Sequence, residues 1–135
     1  MSGSAQSKVT AGYVLDTSAI VAYLLNEPQA AQVEKLHRES ALPFVSLCEL
    51  YAALWLRFGQ VKANEAVATI QHWNLSWVWP TEQTLLLAGR WRALHRLGLG
   101  DSLIAALTYL SQMTLVTKDR DFLVLKPDLH ILLLA

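Results

Sequence analysis

Four carboxylates stand where a fold of alternating strands and helices could bring them together: Asp16, Glu49, Asp101 and Asp119. Asp16 ends the short apolar run 13–15, and Asp119 follows the run 114–117 with one residue between. Glu49 lies in the first turn of a helix expected after the run 41–45, and Asp101 follows Gly100 where another helix should open. Clustered carboxylates repel one another, so a bare site of this kind is costly unless a cation fills it. Hard oxygen donors without histidine or cysteine suit Mg2+ or Mn2+ rather than zinc. A cation so held can polarise a phosphodiester and lower the pKa of a bound water, which is the chemistry of metal-assisted phosphodiester hydrolysis.

Each acid taken singly has a simpler explanation. Asp16 could cap a helix or close a turn, and Asp101 after Gly100 has the form of a helix N-cap. Ser46-Leu47-Cys48-Glu49 matches a capping box, in which Glu49 would bond back to the first amide of its own helix. Against that, Leu47, Leu50, Tyr51 and Ala52 enclose Glu49 in an apolar setting. Asp119 and Asp121 could both be turn acids. The specificity lies in the set of four.

The elements that must position this set read clearly along the chain. Residues 13–15 form a buried strand, with Thr17 and Ser18 opening a helix that continues over 19–25. Pro28 suits the first turn of a second helix, with Ala31, Val33 and Leu36 facing inward. Residues 41–45 make a second strand, and Ser46 opens a long helix closed by Gly59. An amphipathic helix over 62–73, a strand over 75–79 and a helix over 81–97 follow. Asp101 begins the next helix, 114–117 is a strand, 119–122 a turn or short helix, and 131–134 the last strand. Short apolar strands alternating with helices predict one α/β domain, with a central parallel sheet of about five strands flanked by helices on both faces. In such a sheet ligands bind beyond the carboxyl ends of the strands, and the acids stand in register with that rule.

The chain has 135 residues, enough for one domain with its own core. Hydrophobic residues make up 53% and charged residues 16%, which excludes a disordered chain. Apolar stretches such as 102–116 are interrupted by Thr108, Ser111 and Gln112, so no membrane span is expected. Residues 1–12 are small and polar and read as a frayed or vector-derived tail rather than a signal peptide. A cytoplasmic protein is expected. The single cysteine, Cys48, excludes an internal disulfide and reads as a buried, inert thiol. Lys+Arg and Asp+Glu are equal at 11 each, so any contact with nucleic acid must come from local patches. The high apolar fraction also suggests that another chain covers part of the surface.

Three stretches carry a family resemblance: Tyr-Val-Leu-Asp-Thr-Ser-Ala-Ile (13–20), Val-Ser-Leu-Cys-Glu-Leu (45–50), and Gly-Asp-Ser-Leu-Ile-Ala-Ala leading to Leu-Val-Thr-Lys-Asp-Arg-Asp-Phe (100–122). The chain resembles PIN-domain proteins, and among them the VapC-type toxin ribonucleases of bacterial toxin–antitoxin pairs. The resemblance runs over residues 13–135 and implies a PIN-like fold. It also implies a Mg2+- or Mn2+-dependent endoribonuclease that hydrolyses RNA with a metal-activated water. By position, Asp16, Asp101 and Asp119 match direct metal ligands, and Glu49 matches an acid that reaches the metal directly or through water. Asp121 and Phe122 match residues that stabilise the last segment, while Thr117 and Thr17 or Ser18 match polar positions around the acids. Family members typically form homodimers and are silenced by a cognate antitoxin, which here would cover apolar surface on the helices over 19–36.

Other candidates carry less. Arg90, Arg92, His95 and Arg96 crowd one helix and could meet phosphate, though a solvated face explains them. Lys118 and Arg120 flank Asp119 and could hold substrate phosphate or face solvent. Trp55, Trp77 and Trp79 lie in apolar runs and read as core or interface. The histidines, His37, His72, His95 and His130, show no ligand spacing. A haloacid-dehalogenase-like phosphatase would need a second aspartate two residues after Asp16, where Ser18 stands. A receiver domain leaves Glu49 and Asp101 unexplained. A PIN-like nuclease of RNA processing, or a non-catalytic PIN-like interaction module, keeps the fold and changes the biology.

Overall fold

The structure, a computed structural model, describes residues 12–73 and 75–135. The tail expected over 1–12 therefore lies almost entirely outside the described residues. The strands are β1 (Tyr13–Leu15), β2 (Ser40–Pro43), β3 (Ser76–Val78), β4 (Thr114–Thr117) and β5 (Ile131–Leu133). The helices are α1 (Thr17–Leu24), α2 (Ala30–Leu36), α3 (Phe44–Phe58), α4 (Gln60–His72), α5 (Glu82–His95) and α6 (Leu99–Leu110). Short 3-10 turns occupy His37–Glu39 and Arg120–Leu125.

All four strand pairings are parallel, in the order β3-β2-β1-β4-β5. The predicted fold is the observed one. Successive residues of a strand point to opposite faces, and the core divides accordingly. Val14 and Leu115 pack with α5, α6 and the last 3-10 turn through Ala88, Trp91, Ile104 and Phe122. Leu15 and Val116 pack with α1 to α4 through Ile20, Val33, Leu50 and Ile70. Both faces are covered, which explains why the strand centres, as at Val14-Leu15, Ala41-Leu42 and Leu115-Val116, carry consecutive apolar residues rather than alternations.

The strand order reverses direction between β1 and β4, and the crevice of such a sheet opens at that switch point. Leu15 pairs with Val116, and the Asp16 N–H donates to the Val116 carbonyl at 3.1 Å. The ends of β1 and β4 are thereby held side by side.

Several expectations shift. Pro43 ends β2, and α3 starts at Phe44, two residues before the expected Ser46. Pro28 lies ahead of α2, whose buried residues are Ala30 and Val33, while Ala31 is exposed. Helix α5 stops at His95 with Arg96 in the left-handed conformation, and Gly98 is the N-cap of α6. Gly59, at φ 91°, turns the chain from α3 into α4 as its composition suggests. Cys48 is exposed rather than buried, beside Phe44, Leu47 and Tyr51 in a groove against α4. Trp91 is the buried tryptophan of α5, while Trp79 is 68% exposed and stacks on Phe44. Among the described residues no helix is long and apolar enough to cross a membrane.

Candidate functional site

Asp16 sits one residue past β1 and is the N-cap of α1. Its Oδ1 accepts the Ser18 N–H at 2.9 Å, and its Oδ2 accepts from the Ser18 hydroxyl at 3.1 Å and from the Thr117 hydroxyl. The helix-cap explanation is thus true of Asp16, yet it accounts for only one of its oxygens. The other is held by the end of β4. Ser18 extends the link, since its hydroxyl also accepts the Lys118 N–H at 3.0 Å. Burial pushes the Asp16 carboxyl above the usual carboxylate range, and the hydrogen bonds from Thr117 and Ser18 pull it back.

Asp119 follows β4 and caps the 3-10 turn, accepting the Asp121 N–H at 2.9 Å. Its own N–H donates to the Thr117 hydroxyl at 2.9 Å. Thr117, fully buried, therefore connects two of the acids. Phe122 is fully buried in the core beside α6, which anchors this segment, whereas Asp121 is exposed.

Asp101 is not an N-cap. Helix α6 begins at Leu99, so Asp101 lies in its first turn, where a negative charge is favoured by the helix dipole. That gain is outweighed. Burial, reinforced by the negative charges of Asp16, Asp119, Glu49 and Asp121, pushes the Asp101 carboxyl up to about 6. The other three predicted acids thus act electrostatically on Asp101 at one end of the sheet.

Glu49 is not part of a capping box. With α3 starting at Phe44, Ser46 is inside the helix, and Glu49 lies beyond its first turn. The Glu49 Oε1 accepts the Thr17 hydroxyl at 2.7 Å, a bond from the start of α1. Its other oxygen lies against Gly100, where an added Cβ would be 2.1 Å from Oε2. Gly100 was not singled out by its spacing. Its signal was chemical, because glycine inside a helix is unfavourable and asks for a packing reason.

Lys118 is partly exposed and engaged in an ion pair. Its Nζ pairs with Glu27 Oε1 at 2.7 Å. Glu27 is a second residue that sequence patterns did not mark. Arg90, Arg92 and Arg96 are exposed, and the Arg92 side chain donates to the Leu97 carbonyl at 3.4 Å.

The donor set is all oxygen and suits a hard divalent cation. Among the described residues, no three acidic, histidine or cysteine side chains stand close enough together to hold an ion as they are.

The PIN-domain family model matches residues 13–126. The chain belongs to the PIN-domain family. No curated protein matches the sequence significantly. Solved structures similar to this PIN domain include VapBC2 from Rickettsia felis bound to a DNA fragment from its promoter. There the TM-score is 0.74 at 20% identity, over 91% of this chain and 98% of that one. DNA-bound VapBC from Salmonella typhimurium gives 0.73 at 18% identity, over 91% and 98%. VapC20 from Mycobacterium tuberculosis, a Sarcin-Ricin loop cleaving toxin, gives 0.70 at 17% identity, over 85% and 95%. At these identities the likeness is one of fold.

Proposed function

We propose that this PIN domain is a divalent-metal-dependent endoribonuclease and the toxin of a bacterial toxin–antitoxin pair, acting in the cytoplasm. The observation that carries the reading is the electrostatic convergence of the acids. Asp101, Asp16, Asp119 and Glu49 come from four separate elements, and the charges of the other three add to burial in raising the Asp101 carboxyl. Such mutual repulsion is unfavourable for the fold alone and is relieved by a cation. Asp16, Asp101 and Asp119 are the residues we assign as ligands of Mg2+ or Mn2+, with Glu49 directly or through water. When bound, the ion would supply Lewis-acid chemistry to an RNA phosphodiester. The protein's own part is orientation: Ser18 and Thr117 fix Asp16, Thr117 also steadies the Asp119 backbone, and Thr17 aims Glu49.

The toxin reading is supported by the similar folds found in toxin–antitoxin complexes. A cognate antitoxin and a second copy of the chain are the protein partners we assign. The exposed large apolar side chains, among them Leu56, Val61, Trp79, Leu86, Leu94, Leu99 and Val124, are spread from α3 to the last 3-10 turn, and none lies within 19–36. A short antitoxin-like reading frame beside this one is expected.

The decisive experiment is cleavage of labelled RNA by the purified protein with Mg2+ or Mn2+. Asp16→Asn and Asp101→Asn are each expected to lower the rate by at least about a hundredfold while the fold survives. Undiminished cleavage in excess EDTA, or by both variants, overturns the reading.

A further inference from the structure

Glu49 is the acid whose place in the cluster depends most on its neighbours. Its chain reaches out from the second turn of α3, and two contacts from other elements settle where its carboxylate lies. The Thr17 hydroxyl donates to Oε1 at 2.7 Å. The backbone of Gly100 makes room for Oε2, since a Cβ at that position would stand 2.1 Å from Oε2 and 3.1 Å from Cδ. No side chain can occupy that point while Glu49 keeps its position. Gly100 itself precedes Asp101 in the first turn of α6. The missing side chain therefore seats the Glu49 carboxylate on the same helix turn that presents Asp101. Glycine weakens a helix relative to alanine, so the position carries a cost that the seating of Glu49 explains.

We propose that Gly100 is a positioning residue for the metal centre, and that the gap at its Cα holds Glu49 within the acid cluster. Thr17 is the second half of the same clamp. The inference rests on the nuclease reading for its functional consequence, but the geometry can be tested separately. The obstructed atoms belong to the end of a flexible side chain and not to the backbone. Gly100→Ala should consequently leave α6 intact, with alanine the better helix former, and displace Glu49 instead.

The test compares the parent with Gly100→Ala, Glu49→Gln, the double variant, Thr17→Val and Thr17→Ser. Three readouts are taken: Mn2+ affinity by titration, metal-dependent RNA cleavage, and the position of the residue-49 side chain by crystallography. Gly100→Ala should weaken Mn2+ binding or cleavage by about tenfold or more, the usual scale for residues that orient a ligand. In the Glu49→Gln background the same substitution should change either by less than about twofold, because its effect passes through Glu49. Thr17→Val should resemble Gly100→Ala, and Thr17→Ser should restore the parent values. The proposal is overturned if Gly100→Ala leaves Glu49 in place, or if its effect is as large without the Glu49 carboxylate as with it. It is also overturned if Glu49→Gln itself matches the parent while Asp101→Asn fails, an outcome that leaves the nuclease reading standing. A parent that neither binds Mn2+ nor cuts RNA overturns the nuclease reading, and the crystallographic readout then decides the positioning claim on its own.

Discussion

Two helix N-termini bring acids to the same crevice and do so in opposite ways. At α1, Asp16 is buried and its oxygens accept from one backbone amide and two hydroxyls. At α6, the N-cap is Gly98 with no side-chain cap, and Asp101 in the first turn accepts no hydrogen bond among the described residues. The first acid is held by directed bonds. The second is held by its helix and pushed upon by charge. A site built this way has one oriented anchor and one carboxyl whose state depends on what else occupies the crevice. The difference explains why burial raises both carboxyls, while only Asp101 shows the charges of all the neighbouring acids.

Removing either carboxylate should abolish cleavage, but the two losses should diverge widely in stability. Asp16→Ala removes a helix cap and the carboxylate that accepts from the buried Thr117 O–H, so a loss of about 1–2 kcal/mol is expected in urea denaturation. Asp101→Ala removes no hydrogen bond and relieves repulsion, so its stability without metal should equal or exceed that of the parent. Equal destabilisation by both would end the distinction.

A smaller effect sharpens it through pH. The Asp101 carboxyl titrates near 6 in the folded protein against 3.8 ordinarily, so the folded state holds this proton more tightly than the unfolded state. With metal chelated, this group lowers stability as pH rises from about 4 to about 6, and its effect is constant above that range. Asp101→Asn should therefore be more stable than the parent above about pH 6, with the advantage vanishing near pH 4. Urea midpoints of the two proteins measured across that range check the sign, and an advantage that grows on acidification would refute it. Apparent metal affinity of the parent should fall below about pH 6, because the proton competes for the same oxygens.

The smallest effect concerns the periphery. The Lys118–Glu27 pair is partly exposed, and Lys118→Met should change stability by less than about 1 kcal/mol. A larger loss by thermal denaturation would mean that the end of β4 is held by this pair as much as by Thr117.

Much of the architecture was legible because a parallel sheet buries both faces, so β1 and β4 appear as unbroken apolar runs with their acids just past the ends. The boundary of α3 was less so. Pro43 closes β2 early, the helix starts at Phe44, and the apparent box from Ser46 to Glu49 dissolves. Cys48 misled for a related reason: apolar neighbours along the chain do not say which side of a helix a residue occupies, and this one faces out. Thr17, Ser18 and Thr117 could be named as polar positions near the acids, but not matched to the oxygens they serve.

Which residues could carry the chemistry and which elements would present them can be read along the chain, since strand runs, helix starts and carboxylate types are local properties. Which groups meet depends on how those elements pack. Glu49 is aimed by Thr17, 32 positions earlier, and seated by the bare Cα of Gly100 on a different helix. Contacts of that kind arise from the packing of separate elements around the sheet, and no spacing along one chain encodes them.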